Sequence, residues 1–174
     1  MTREPSITMA TSPDTSQVLQ AAAEALPMPL PQATLLWTTA VRIAPREALG
    51  AGPLGGRAIV PILGGVFWGG PGHAALCGAV RSGGADRQLV RADGIKELRA
   101  EYEMQCADGS VLTVDNRVLV DESRQPARYA LSHLFVSAPE GPHAWLNRRV
   151  LVGTLQSLRP QHEAVVVRAY MLDV

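Results

Sequence analysis

Cysteine is scarce: Cys77 and Cys106 are the whole supply in 174 residues. Two cysteines without a CxxC or Cys/His ligand spacing exclude a disulfide scaffold and a zinc-finger pattern. Both read as reduced, buried thiols in strand-like runs. Surplus charge is missing too. Sixteen Lys and Arg stand against sixteen Asp and Glu, so the net charge is zero. That excludes a general electrostatic pull toward nucleic acid or an anionic membrane. No apolar run approaches the ~20 residues that span a bilayer. Residues 2–17 are polar where a secretory signal would be apolar, so a soluble, cytoplasmic protein with no membrane or nucleic-acid partner is expected. His73, His133, His143 and His162 form no HxH or HExxH pattern, and there is no GxSxG elbow. The glycines of Gly64-Gly65 and Gly69-Gly70-Pro71-Gly72 lack the Lys-Ser/Thr and helix of a phosphate loop. The expectation is neither metal nor cofactor.

What is present is a globular balance, with 47% hydrophobic and 18% charged residues in a length that suits one domain. Residues 1–32 form an arm rich in Ser, Thr and Pro. Asp14 or Thr15 caps a short helix over 17–26, which Pro27, Pro29 and Pro31 stop. The rest of the arm reads as partly disordered; a helix packed over one barrel end is the alternative. Residues 33–174 change character: short runs of Val, Leu, Ile and Thr alternate with Gly, Pro, Asp and Asn. Strands are predicted over 34–43, 57–62, 65–68, 74–81, 87–91, 96–107, 110–120, 130–137, 150–158 and 164–172. Asp108-Gly109 and Asp93-Gly94 tolerate the positive φ of tight hairpins, so the strands on either side should pair. Many strands with short connections predict an all-β fold, a single antiparallel up-and-down barrel, because closure removes exposed edges. A two-sheet sandwich is the runner-up.

Strand parity then assigns the interior. Leu98, Ala100, Tyr102, Met104 and Cys106 share one face, opposite Arg99, Glu101, Glu103 and Gln105. In the next strand Leu112, Val114, Asn116, Val118 and Val120 point inward, which makes Asn116 a lone amide on an apolar face. An unpaired buried amide costs about 1–3 kcal/mol, so something must satisfy it. Asp86 and Gln88 lie opposite Arg87 and Arg91; the arginines take the solvent side and turn Asp86 and Gln88 inward. Trp37 shares a face with Leu35, Val41 and Ile43 and is predicted to pack inward. Aliphatic walls with a few polar groups are the make-up of a small-molecule cavity.

The run Gly83-Gly84-Ala85-Asp86-Arg87-Gln88-Leu89-Val90-Arg91-Ala92-Asp93-Gly94 resembles a hallmark segment of the domain-of-unknown-function 3237 family, or uncharacterised protein family 0311. Ile59-Val60-Pro61-Ile62-Leu63-Gly64-Gly65-Val66-Phe67, Val114-Asp115-Asn116-Arg117, Ala144-Trp145-Leu146-Asn147-Arg148 and Val152-Gly153-Thr154 agree with it in order and spacing. The resemblance implies a calycin-like or allene-oxide-cyclase-like barrel over residues 33–174 and no general activity. Val118 stands where that pattern commonly has Gly, Arg87 where it has an aromatic, and the loop over 137–145 is short. These departures are expected around the pocket mouth.

Asp86 is the best candidate acid or base, since burial in an apolar cavity raises a carboxyl pKa toward neutrality. The alternative is a carboxylate that caps the Gly-Gly turn or pairs with arginine. Tyr102 is the second catalytic candidate, a donor for a carbonyl or developing oxyanion, or else an ordinary core tyrosine. Gln88, Asn116, Trp145, Asn147 and Trp37 form the candidate ligand-binding set. Asn147 could equally tie a strand to a loop, and Trp145 could plug a barrel end. His133, alternating with Leu131 and Phe135, is a minor candidate for a second proton carrier. The favoured function is a cofactor-independent isomerase, cyclase or lyase acting on a small carbonyl or hydroxylated organic compound. The alternatives are a barrel that binds or carries a hydrophobic small molecule, and a structural or interaction module. Self-association through an exposed sheet face would give a homo-oligomer.

Overall fold

The structure is a computed structural model and describes residues 14–124 and 126–174. The chain divides into two units, the larger being Pro31–Asp173. In the smaller unit, helix α1 (Thr15–Glu24) begins where the Asp14 carboxylate accepts a hydrogen bond from the Ser16 amide at 3.2 Å. The cap is one of the two expected, and it starts the helix two residues before the predicted boundary. The expected disorder of the arm falls, over residues 1–13, outside the described residues.

The larger unit is built from ten strands. They are β1 (Gln32–Ile43), β2 (Glu47–Gly52), β3 (Gly55–Gly69), β4 (Gly78–Val80), β5 (Ala85–Val90), β6 (Lys96–Cys106), β7 (Val111–Asp121), β8 (Tyr129–Ser137), β9 (Leu151–Ser157) and β10 (Ala164–Asp173). From β5 onward each strand pairs with the next, antiparallel. β10 then pairs with β1, and β1 with the second half of β3. β4 and β5 share one place between β3 and β6. The result is a closed eight-stranded antiparallel barrel, not the sandwich that was the runner-up.

Three details depart from the pattern read along the chain. The two strands expected over 57–62 and 65–68 are one strand, β3, that bends at Gly64, where φ is +115° and the pairing with β1 shifts register. β2 is Glu-Ala-Leu-Gly-Ala-Gly, with no β-branched residue, and it is extended because it pairs with the first half of β3. The strand expected over 74–81 shrinks to β4, since after β3 ends at Gly69 the chain makes turns over residues 71–76. Both Asp-Gly turns are hairpins as expected, with φ of +84° at Gly94 and +90° at Gly109.

Inside, the barrel is packed at one end and hollow at the other. Leu36, Trp37, Phe67, Met104, Leu112 and Val114 form the buried cluster of the packed end. The 3₁₀ turn Ala144–Arg148 seals that end by burying Leu146 in the same cluster, with Trp145 packed against it. No helix among the described residues is long and apolar enough to cross a membrane.

Candidate functional site

The hollow end is a cavity of about 520 Å³, a volume typical of a small-molecule site. Its walls are the inward rows of β5, β6 and β7, closed by residues of β1, β3, β9 and β10. Strand register sets the polar groups in order. Asp86 on β5 lies opposite Ala100 on β6, and Ala100 opposite Asn116 on β7. One inward step toward the open end the row is Gln88, Leu98 and Val118, and the next is Val90, Lys96 and Val120. Toward the packed end Tyr102 forms the floor, fully covered. The small side chain of Ala100 leaves space between Asp86 and Asn116.

The Gly83-Gly84 pair has a mechanical role here. A Cβ on Gly84 would sit 2.8 Å from the Tyr102 Cβ and 2.5 Å from the Glu101 carbonyl oxygen. Glycine therefore lets the chain enter β5 hard against β6, which delivers Asp86 above Tyr102.

Three polar groups face this cavity with no protein partner for at least one atom: Asp86 Oδ1, Tyr102 Oη and Asn116 Oδ1. Burial pushes the Asp86 carboxyl above its ordinary value, although hydrogen bonds from the Gln88 side chain and the Arg99 backbone pull it partly back. The Gln88 amide donates to Asp86 Oδ2 at 2.7 Å, and Gln88 Oε1 accepts from Arg46 Nε at 3.3 Å. A chain of Arg46, Gln88 and Asp86 thus runs from the mouth inward. Burial also raises the Tyr102 phenol well above its usual range, so it stays protonated and can donate.

Asp86, Gln88, Tyr102 and Asn116 are brought together as the parity of their strands predicts. Trp37, Trp145 and Asn147 are not. Trp37 packs inward as expected, but in the packed cluster and not in the cavity wall; a register shift after Leu35 buries Leu36 beside it. Trp145 stacks on His73 with ring centroids 6.0 Å apart, at the sealed end. Asn147 clasps Ala138: its Oδ1 accepts from the Ala138 amide at 2.8 Å and its Nδ2 donates to the Ala138 carbonyl at 2.9 Å. Its role is the strand-to-loop tie. His133 points outward and is exposed, because Ser132 and Leu134 take the inner face of β8. Both faces of that strand are apolar enough to mislead. Of the family-pattern departures, Val118 lines the cavity, Arg87 lies exposed on the outer wall, and the short loop is at the sealed end.

Sequence reasoning missed two groups. Arg46, Arg128 and Arg159 reach the cavity mouth from connections between strands, where no periodicity assigns a direction. Cys106, Asp108 and His143 also converge, with ligand atoms within 4.8 Å of one another, a set able to hold a metal. His143 Nε2 lies 3.2 Å from Asp108 Oδ2, at ion-pair distance but off hydrogen-bond alignment. Burial raises the Cys106 thiol to about 11, which disfavours the thiolate a metal needs. The long sequence gap between His143 and the other two hid this cluster.

Comparison with known proteins adds relatives to this geometry. The chain is 34% identical over 82 residues to a UPF0311 protein of Bradyrhizobium diazoefficiens, covering 47% of this chain and 51% of that one. It is 36% identical over 81 residues to a UPF0311 protein of Rhodopseudomonas palustris, covering 47% and 50%. Each of these matches spans about half the length of the curated relative. Among solved structures, a conserved protein of unknown function from Rhodopseudomonas palustris superposes with a TM-score of 0.75 at 25% identity, over 84% of this chain and 100% of the other. A β-barrel-like protein from Acinetobacter baumannii gives 0.72 at 25% identity, over 84% and 99%. A protein from Penicillium herquei described as an enzyme gives 0.66 at 19% identity, over 86% and 98%, a likeness of fold alone. The family model described as "Protein of unknown function (DUF3237)" matches residues 31–172, the whole barrel but its last residues, and the chain belongs to that family.

Proposed function

We propose that the barrel is a cofactor-independent isomerase, cyclase or lyase that moves a proton on a small carbonyl or hydroxylated organic compound. The observation that carries this reading is a carboxyl group with a raised pKa, one oxygen unpartnered, aimed into an apolar cavity above a buried phenol. A carboxyl poised nearer neutrality is an efficient proton carrier. Asp86 takes a proton from the carbon next to a carbonyl, and the electron pair moves onto the carbonyl oxygen. The Tyr102 hydroxyl donates to that oxygen as its charge grows, and the Asn116 amide orients the ligand beside it. Asp86 then returns the proton at the same or a neighbouring carbon, so no redox partner is needed. Trp145 and Asn147 have no part in this chemistry.

The test begins with native mass spectrometry of freshly purified protein and a thermal-shift screen of small ketones and phenols. Ketones that raise Tm are incubated in D₂O with wild type and Asp86→Asn, and deuterium at the α-carbon is followed by NMR. Exchange that requires wild type supports the proposal; a drop of about 10²-fold or more in the variant is the expected size for losing a general base. Exchange that persists unchanged in Asp86→Asn removes Asp86 from the mechanism. Tight binding with no exchange favours a carrier, the reading that the mostly aliphatic walls also suit.

A further inference from the structure

Four cations, Arg46, Lys96, Arg128 and Arg159, line the cavity against one ionised carboxylate at the mouth, Glu122. All but Lys96 are exposed, so this charge belongs to the opening. In a chain of zero net charge the surplus is local. Most of it is already paired. Lys96 and Arg128 share Glu122 at 2.8 and 3.7 Å, and Arg159 holds Glu163 at 2.6 Å. Arg46 differs from the other three. Its recorded contact is with the neutral Gln88 amide, leaving its charge without an acidic partner among the described residues.

We propose that Arg46, backed by this positive rim, binds the carboxylate of an elongated organic acid whose carbonyl end reaches Asp86 and Tyr102. The inference rests on the pocket reading above and names its substrate class. Geometry sets the length of that acid. Gln88 is two residues along β5 from Asp86, and the Val90–Lys96 level is four. At about 3.4 Å per residue the anionic group lies roughly 7–14 Å from the proton-transfer position, about five to eleven bonds away. A guanidinium suits a planar carboxylate through two parallel N–H···O bonds, and the low-dielectric walls below strengthen the pairing. With no acidic partner among the described residues, Arg46 also draws an anionic ligand toward the opening.

The test uses phenyl ketones carrying a carboxylate separated from the carbonyl by about three to eleven methylenes, which brackets that range, each compared with its primary amide by calorimetric titration. At the best length the acid should bind about tenfold more tightly than the amide, as expected for one charge-assisted contact. Arg46→Gln should remove that advantage and leave amide affinity unchanged, and added salt should weaken only the acid. Arg159→Glu, which reverses rim charge without touching Gln88, should lower acid affinity in the same sense. Equal binding of acid and amide at every length overturns the inference while the pocket reading survives. An equal loss of both ligands in Arg46→Gln also overturns it, because Arg46 would then act only by positioning Gln88. Binding of neither series to the wild type overturns both readings.

Discussion

At the residue scale the behaviour of the barrel turns on what it costs to keep a carboxylate at Asp86. Its ordinary value of 3.8 is raised in the folded chain, chiefly by burial. The folded state therefore holds the proton more tightly than the unfolded one. The resulting stability is fully present below pH 3.8 and is lost as pH rises through the folded pKa. Asp86→Asn keeps an oxygen for Gln88 to donate to but carries no charge. Its Tm is expected to exceed that of wild type at pH 8, with the two converging as pH falls toward 4. Thermal melts across that range check the sign. A variant that is less stable at pH 8 would mean the carboxylate is satisfied in the fold, and the case for a strained proton carrier would weaken.

At the element scale β6 has two different faces. Its outer face is solvated and charged: Arg99 donates to Asp115 of β7 at 3.1 and 3.0 Å, and Arg117 adds its own pair with the same carboxylate at 2.8 Å. Burial raises the Asp115 carboxyl, but the bonds from Arg117 and Arg99 outweigh it and hold the carboxyl below its ordinary value. Its inner face is apolar, and there Ala100 separates Asp86 from Asn116. Ala100→Leu adds bulk into the cavity, so folding should change by about 1 kcal/mol or less, below the usual cost of overfilling a packed core. Ligands found in the thermal-shift screen should lose at least about tenfold in affinity, because the added side chain occupies their space. Titration calorimetry and urea unfolding on the same variant separate the two effects. Unaltered binding would place the ligand outside the cavity.

At the scale of the whole molecule, closure depends on a seam where backbones approach closely. Gly65 on β3 lies opposite Val41 on β1, and a Cβ there would sit 2.2 Å from the Ala40 carbonyl oxygen. Gly65→Ala is expected to destabilise the barrel by about 1–3 kcal/mol, the usual cost of forcing atoms into filled space. Gly56→Ala is the matched control: a Cβ meets nothing within 4 Å there, and the backbone φ is not positive. Urea midpoints should fall for the first and stay or rise for the second. Equal midpoints would show that the seam yields without cost.

Much of this molecule was legible along the chain because strand parity is a local property. With a period of two, the apolar and polar sets of β6 and β7 name their inner faces without any knowledge of what those faces meet. Asp86, Gln88, Tyr102 and Asn116 followed from that rule, and the Asp-Gly turns marked two of the hairpins. The rule turns Trp37 inward correctly but does not say which end of the barrel it fills, and it gives no direction where both faces are apolar, as around His133. Other features were decided by residues far apart in sequence. β2 is a strand because β3 lies beside it, β3 is continuous because Gly64 bends it, and the ring closes because Gly65 admits β1. The rim arginines occupy connections whose direction only the assembled barrel sets. Side-chain alternation is written in the backbone's own geometry, whereas closure and the charge at the mouth depend on which distant backbones come together.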